Sequence, residues 1–498
     1  MNAMDEHLAT GYGQTNTAFD SRVATEALQQ IVMLAKLKHD GVASSHEPLI
    51  MNLGRLDVLV ILHDDKDNHA GKLILQALDW LTEFEINQVF KLWGDSISGL
   101  DLENTVSFGP RICDFGDWLA YWGRYKLAIG VLRPLFKQQR LLLSCDDMGL
   151  ARTGHSLGLL HLSMSEYESA KKLLETALIV RENNLDANHP EIANSLNSLA
   201  SLHLEQNNYD DAEPLFMRAL SIYEKSLGKN HIKTATVIDN LAILIRCKGD
   251  DKTSELMHRK ALEMTENNLG DKHPDVARCL NNLASCLMKQ GDLLGAESLF
   301  KRALEIIEKT FGAVHHLTAM CMQNYAELLE STGNYSAAIS IYQRSLNILE
   351  VIFDNHHANV ISSLDHLASV YEKIELVLES TELRTRQIKA LEQTKGINDE
   401  DTIMVLQNLA VMLRNHGNLE KAEPLQRESV LQFIQAFGED NIKTAIAYSG
   451  LGKLLTLKGE FKEAKINYLK AIAIRQRDLG EDAEPTKLVR QRLEEILI

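Results

Sequence analysis

Five histidines recur at one interval: His189, His231, His273, His315 and His357 stand 42 residues apart. Imidazole ligates zinc and carries protons near neutral pH, so such a column raises the question of metal or acid–base chemistry. The interval argues against a shared ion. Copies of a repeated helical unit pack roughly 10 Å apart, whereas the ligands of one zinc all lie within about 2 Å of it. The column is therefore read as structural loop residues. A second cluster, His63, Asp64, Asp65 and His69 in "LDVLVILHDDKDNH" (56–69), has ligand chemistry but no distant partner ligands, and reads as an acidic loop after an apolar segment. No GxxxxGK[ST], post-strand GxGxxG, GxSxG or HExxH occurs, so nothing supports an enzyme and no cofactor is expected.

The chain has 498 residues, 45% of them apolar and 24% charged, which is material for more than one ordinary domain. Its 8 prolines and 28 glycines are few, and no Pro/Gly/Ser-rich linker interrupts it, as in a mostly helical protein. No apolar run reaches about 18 residues, and the N-terminus lacks the basic and apolar regions of an export signal. Neither a membrane span nor export is expected, and a cytoplasmic location follows. Six cysteines (Cys113, Cys145, Cys247, Cys279, Cys286, Cys321) form no CxxC pair and fall within apolar helical patterns, as reduced, buried thiols would. The formal charge of −17 argues against nucleic acid, whose phosphates require a basic face. Residues 1–108 hold 16 acids against 7 bases. A boundary near residue 108 is expected, preceded by a mostly helical region with helices over 21–39 and 72–93.

The same 42-residue step governs the elements that carry the histidines. Gly116, Gly158, Ala200, Ala242, Ala284, Ala326, Ala368, Ala410 and Gly452 form one column of small residues. Twelve positions later in each unit runs another: Ala128, Ala170, Ala212, Ser254, Ala296, Ala338, Ser380, Ala422 and Ala464. Small side chains at matched positions let two helices cross at the roughly 8–10 Å spacing of close packing. Between the columns lies a turn holding Gly123, Ser165, Asn207, Gly249, Gly291, Gly333, Glu375, Gly417 and Gly459, suited to a left-handed helix terminus. Each unit is thus a helical hairpin that buries its apolar face by stacking on its neighbours. The unit 357–398 departs most, with Glu375 at the turn, Ser380 in the second column and Arg384 where Phe216, Phe300 and Tyr342 stand elsewhere. A local weak point is expected there.

The stretch "HPDVARCLNNLASCLMKQGDLLGAESLFKRALEIIEKTFG" (273–312) resembles the tetratricopeptide repeat in the 42-residue form of kinesin light chains, through its HP start, LNNLA core, QG turn and RAL. The resemblance covers 109–498, most clearly 189–356 and 401–479. It implies an all-α fold: a right-handed superhelical solenoid of about nine hairpins over 109–484, after a helical N-terminal region (1–108) and before a capping helix (485–498). In that cap Leu493 keeps the leucine column, and Glu494 replaces the small residue.

Numbering each unit from its first small residue, offsets −6, −3, −2, +1, +4 and +5 are expected to point away from the second helix. In tetratricopeptide proteins this face lines the inner groove. Its −2 column (Ser156, Ser198, Asn240, Asn282, Asn324, His366, Asn408, Gly450) and −3 column (Asn197, Asp239, Asn281, Gln323, Asp365, Gln407) make a polar ladder. Amides donate and accept, so the ladder could hold the backbone of an extended peptide. Over 194–457 these columns balance six acids (Glu205, Asp239, Glu327, Glu330, Asp365, Glu372) with six bases (Arg246, Arg278, Lys289, Lys373, Arg414, Lys453). Arg246, Arg278 and Lys289 form the densest basic patch. The reading is a non-enzymatic scaffold or adaptor for a protein or peptide segment with acidic side chains. That segment would be held by Asn197, Asn240, Arg246, Arg278, Asn281, Asn282, Lys289, Asn324 and Asn408. A regulatory sensor, whose groove takes a signal peptide or its own N-terminal region, is the alternative.

Overall fold

Twenty helices, and no strand, make up the described part of the chain, residues 83–497 of the computed structural model. The cluster His63, Asp64, Asp65 and His69, the expected helix 21–39 and the first part of 72–93 lie outside the described residues. The chain divides between Gln290 and Gly291 into two compact units. In the first, α1 (Glu83–Ser98) precedes the hairpins α2 (Leu102–Tyr121) with α3 (Tyr125–Leu142), α4 (Met148–Ser163) with α5 (Tyr167–Asn184), α6 (Pro190–Glu205) with α7 (Tyr209–Ser226), and α8 (Ile232–Cys247) with α9 (Asp251–Leu269), then α10 (Pro274–Gln290). The charge boundary at residue 108 falls inside α2.

The second unit begins with α11 (Leu293–Phe311). Its hairpins are α12 (His316–Ser331) with α13 (Tyr335–Ile352), α14 (Ala358–Lys373) with α15 (Val377–Thr394), α16 (Glu400–Asn415) with α17 (Leu419–Phe437), and α18 (Ile442–Lys458) with α19 (Phe461–Leu479); α20 (Glu484–Glu495) follows. Within each unit every helix from α2 on packs on its neighbours in sequence, the solenoid arrangement of stacked hairpins.

The histidine column is a column of helix caps. Nδ1 of His189, His231, His273, His315 and His357 accepts the backbone N–H two residues on, at 3.1–3.2 Å. Asp147, Asp399 and Asn441 do the same at the corresponding positions. The first turn of a helix has N–H groups without intrahelical partners, and a side-chain acceptor satisfies one of them. All nine turn positions have positive φ, from +60° at Ser165 to +96° at Gly249. The backbone therefore reverses there in the left-handed conformation.

Both small columns are buried, and the glycines show how closely the helices approach. A Cβ on Gly116 would lie 2.4 Å from Leu132, one on Gly158 2.8 Å from Leu174, and one on Gly452 2.7 Å from Tyr468. Each partner stands 16 residues on, at the position Phe216, Phe300 and Tyr342 occupy in other hairpins, and each of those aromatics is fully buried. At the N-terminal side α1 packs on α3, with Trp93 buried edge-on to Phe115 at 5.9 Å. At the other, Val489 and Leu493 of α20 join the apolar cluster of Tyr448, Leu451, Tyr468 and Ala471, while Glu494 is exposed.

Candidate peptide-binding face

First helices of successive hairpins touch one another along the first unit, and α16 touches α18 in the second, so their side chains share a face. In the first unit the polar ladder of that face is bonded to itself. Each −2 residue meets the −3 residue of the hairpin before it: Ser156 Oγ and Cys113 Sγ at 3.6 Å, Ser198 Oγ and His155 Nε2 at 3.4 Å. Asn240 Nδ2 donates to Asn197 Oδ1 at 3.0 Å, and Asn282 Nδ2 to Asp239 Oδ2 at 2.9 Å. The expectation that these amides stand free for a peptide backbone is corrected accordingly. Neighbouring hairpins lie close enough for the amides to satisfy one another, and each retains only part of its bonding capacity.

The −3 column also faces differently from the expectation. At about 100° per residue it lies only about 60° from the small column, so it borders the second helix of its own hairpin. Where that helix carries a polar group 19 residues on, the two pair: His258 Nδ1 with Asp239 Oδ1 at 2.7 Å, Arg384 with Asp365, and Gln426 Nε2 with Gln407 Oε1 at 2.6 Å. Asp239 and His258 are fully buried, and Arg278 joins them on the second carboxylate oxygen. Burial works against the Asp239 carboxylate, but Arg278, His258 and Asn282 outweigh it and hold the carboxyl below its ordinary range.

This network changes the basic patch. Arg278 is committed to Asp239, and Lys289 Nζ is 3.3 Å from Asp251. Arg246 is half-buried and has no ion pair among the described residues, so it is the cation of the trio still open to an anion. Asn281 is buried, with its Oδ1 unbonded. In the second unit Asn324 is half-buried and Asn408 exposed. The basic trio is thus reduced to one available charge.

Four cysteines are buried as expected, but Cys145 and Cys247 are exposed: the first lies beyond the end of α3, the second in the last residue of α8. Among the described residues no group of three or more His, Cys, Asp or Glu is placed to hold a metal ion, and no helix is long and apolar enough to cross a membrane.

With this architecture in view, the comparisons place the chain. The tetratricopeptide repeat model matches residues 149–225, 191–267, 275–350 and 401–477, more than half of the sequence. The chain belongs to the tetratricopeptide repeat family. No curated protein matches it. Among solved structures it is similar to the TPR-like repeats of a Podosopora anserina protein of kinesin-light-chain type, at 18% identity and a TM-score of 0.38, over 42% of this chain and 98% of that one. It is also similar to a Rap protein complexed with competence and sporulation factor, at 14% identity and a TM-score of 0.47, over 80% of this chain and 98% of that one. The quorum sensor NprR from B. thuringiensis matches at 15% identity and a TM-score of 0.43, over 75% of this chain and 99% of that one.

Proposed function

We propose that this repeat protein is a non-enzymatic scaffold or adaptor that takes an extended peptide segment with an acidic side chain on its first-helix face. One observation carries the reading: on that face Arg246 is half-buried and has no counter-ion among the described residues. A segment running past it would bring a carboxylate to Arg246. Asn240 and Asn282 offer their remaining amide positions; Asn324 and Asn408 hold the same repeat position within the second unit.

The structure also separates binding probes from folding probes. Arg278→Ala would leave the buried Asp239 without its guanidinium and so reports on stability. Arg246→Ala removes no ion pair and reports on binding. Charge-assisted hydrogen bonds are worth roughly 1.5–3 kcal/mol, so Arg246→Ala is expected to weaken the partner by about tenfold or more, with a parent affinity that falls as salt rises. The experiment is to identify a partner by pull-down and measure its affinity for the parent and for Arg246→Ala at two salt concentrations. Equal affinities would place the partner elsewhere on the molecule.

A further inference from the structure

The second unit holds both paired and unpaired cations. Arg427, Lys443, Lys458 and Lys470 each hold a glutamate. Arg414 on α16, Lys453 on α18 and Arg492 on α20 hold none among the described residues, in a chain whose formal charge is −17. The three stand at one interval, 39 residues and then 39 again. That interval is one repeat less one helical turn. Elsewhere it brings side chains of adjacent first helices into contact, as with Arg278 on Asp239 and with Lys233 Nζ at 3.3 Å from Asn194 Oδ1.

Arg414 is only 7% exposed. One Nη reaches the Gly450 carbonyl at 3.3 Å, the other the Asn415 Oδ1 at 3.3 Å, and Nε is buried without any partner. A buried guanidinium without a carboxylate is costly, because desolvation is not offset by a counter-charge. The neighbouring charges worsen this. Burial, then Arg492, lowers Arg414; burial, then Arg414 and Arg492, lowers Lys453; burial, then Arg492, lowers Arg475. Arg475 itself is turned aside to the Pro485 carbonyl at 2.7 Å. Glu495 bears on Tyr468, the ring that Arg492 and Arg414 also act on. Gly450 stands where the hairpins from α4 to α17 carry serine, asparagine or histidine, so no side chain from that position covers Arg414.

We infer that Arg414, Lys453 and Arg492 form a binding site for a tetrahedral oxyanion, specifically a phosphoryl group. Three positive charges match a dianion better than a single carboxylate. Two guanidinium groups supply paired donors suited to phosphate oxygens, and the lysine adds a point charge. The bound group would accept from Nε of Arg414, the donor the fold leaves unused. The site lies wholly within the second unit and does not depend on the peptide reading above.

The test uses the full chain and calorimetric titration with inorganic phosphate, with acetate at the same ionic strength as control. Expected are saturable one-to-one binding of phosphate and none of acetate. Lys453→Ala and Arg492→Ala should each weaken phosphate by about tenfold or more, and the double variant should abolish it. Both residues are half-buried and unpaired, so these variants fold. In phosphate-free buffer their thermal midpoints should equal or exceed that of the parent, since repulsion is relieved. A merely structural role would lower them. A Gly-Gly-phosphoserine-Gly-Gly peptide that binds more tightly than inorganic phosphate identifies a phosphorylated chain as the source, and the reverse order identifies the free anion; either supports the site. Unsaturable binding, equal binding of acetate, retention in the double variant, or variants less stable than the parent without phosphate would overturn it.

Discussion

Glu375 holds φ at +61°, a conformation that costs a side chain with a Cβ on the order of 1 kcal/mol and glycine almost nothing. Its counterparts at 333, 417 and 459 are glycines with φ near +80°. Glu375→Gly is therefore expected to raise stability by roughly 0.5–1 kcal/mol, read as a higher urea midpoint, and Gly459→Ala to lower it by a similar amount. A null effect of both would mean that the turn relaxes around its residue. The crossing point is less forgiving. Gly452 has no room for a methyl group, because the ring of Tyr468 beneath it is buried and its hydroxyl is bonded to Thr456 at 3.2 Å. Gly452→Ala should cost about 1–3 kcal/mol through overpacking, and an unchanged midpoint would refute the close approach. Both positions were readable in the sequence, since side-chain size and turn chemistry report directly on backbone distance and φ. The pairing of Asp239 with His258 and of Asp365 with Arg384 was not. It depends on which of two adjacent helices a −3 side chain borders, and the assigned direction of that column was the step that failed.

At the scale of the helix, the repeated histidine is a cap, and the chemistry is that of an acceptor. Replacing His231 by alanine should remove the bond to the Lys233 N–H and cost about 0.5–2 kcal/mol, while His231→Asn, the type of side chain that caps α18 at Asn441, should retain most of it. If alanine and asparagine destabilise equally, the imidazole acts through packing and not through its lone pair. The hairpin α14/α15 tests a different balance. Arg384 occupies the aromatic position and is bound to Asp365, Glu372, Ser369 and Gln387, so a buried guanidinium paired with half-buried acids replaces apolar burial. The family model leaves residues 351–400 unmatched, the same stretch whose composition marked it as divergent. Charged networks of this kind add less net stability than a ring of the same volume, since desolvation opposes the attraction. Amide hydrogen exchange should therefore show α14 and α15 opening more readily than α12 and α13. Equal protection would show that the network substitutes fully for the ring. Sequence period alone located the hairpin and its departures from the pattern, but which side chains pair with Arg384 depends on how α14 and α15 face each other, and periodicity does not give that.

Over the whole molecule, each unit holds a histidine that the fold keeps neutral. His155 in the first unit is pushed down to about 3, by burial first and by Arg181 and Lys233 next; His316 in the second is pushed down to about 3 by burial and then by His315. In the unfolded chain both titrate near the ordinary 6.5. Between those values the unfolded state takes up a proton that the folded state refuses, so stability present above about pH 6.5 is withdrawn as pH falls. The slope is about 1.4 kcal/mol per pH unit for each group, or roughly 2 kcal/mol each by pH 5. Carboxylates add their own acid dependence at lower pH, so the informative quantity is the difference between the parent and a variant with both histidines replaced. His155→Leu with His316→Leu should flatten the urea midpoint between pH 7.5 and pH 5 relative to the parent, while the two proteins converge in slope above pH 7. Because the histidines lie in different units, each single variant should remove its own share of the acid sensitivity, and the two shares should add, as they do for sites without shared partners. A double variant as acid-sensitive as the parent would mean that these imidazoles accept protons without unfolding, and that the fold around His155 and His316 opens to water well before either unit is lost.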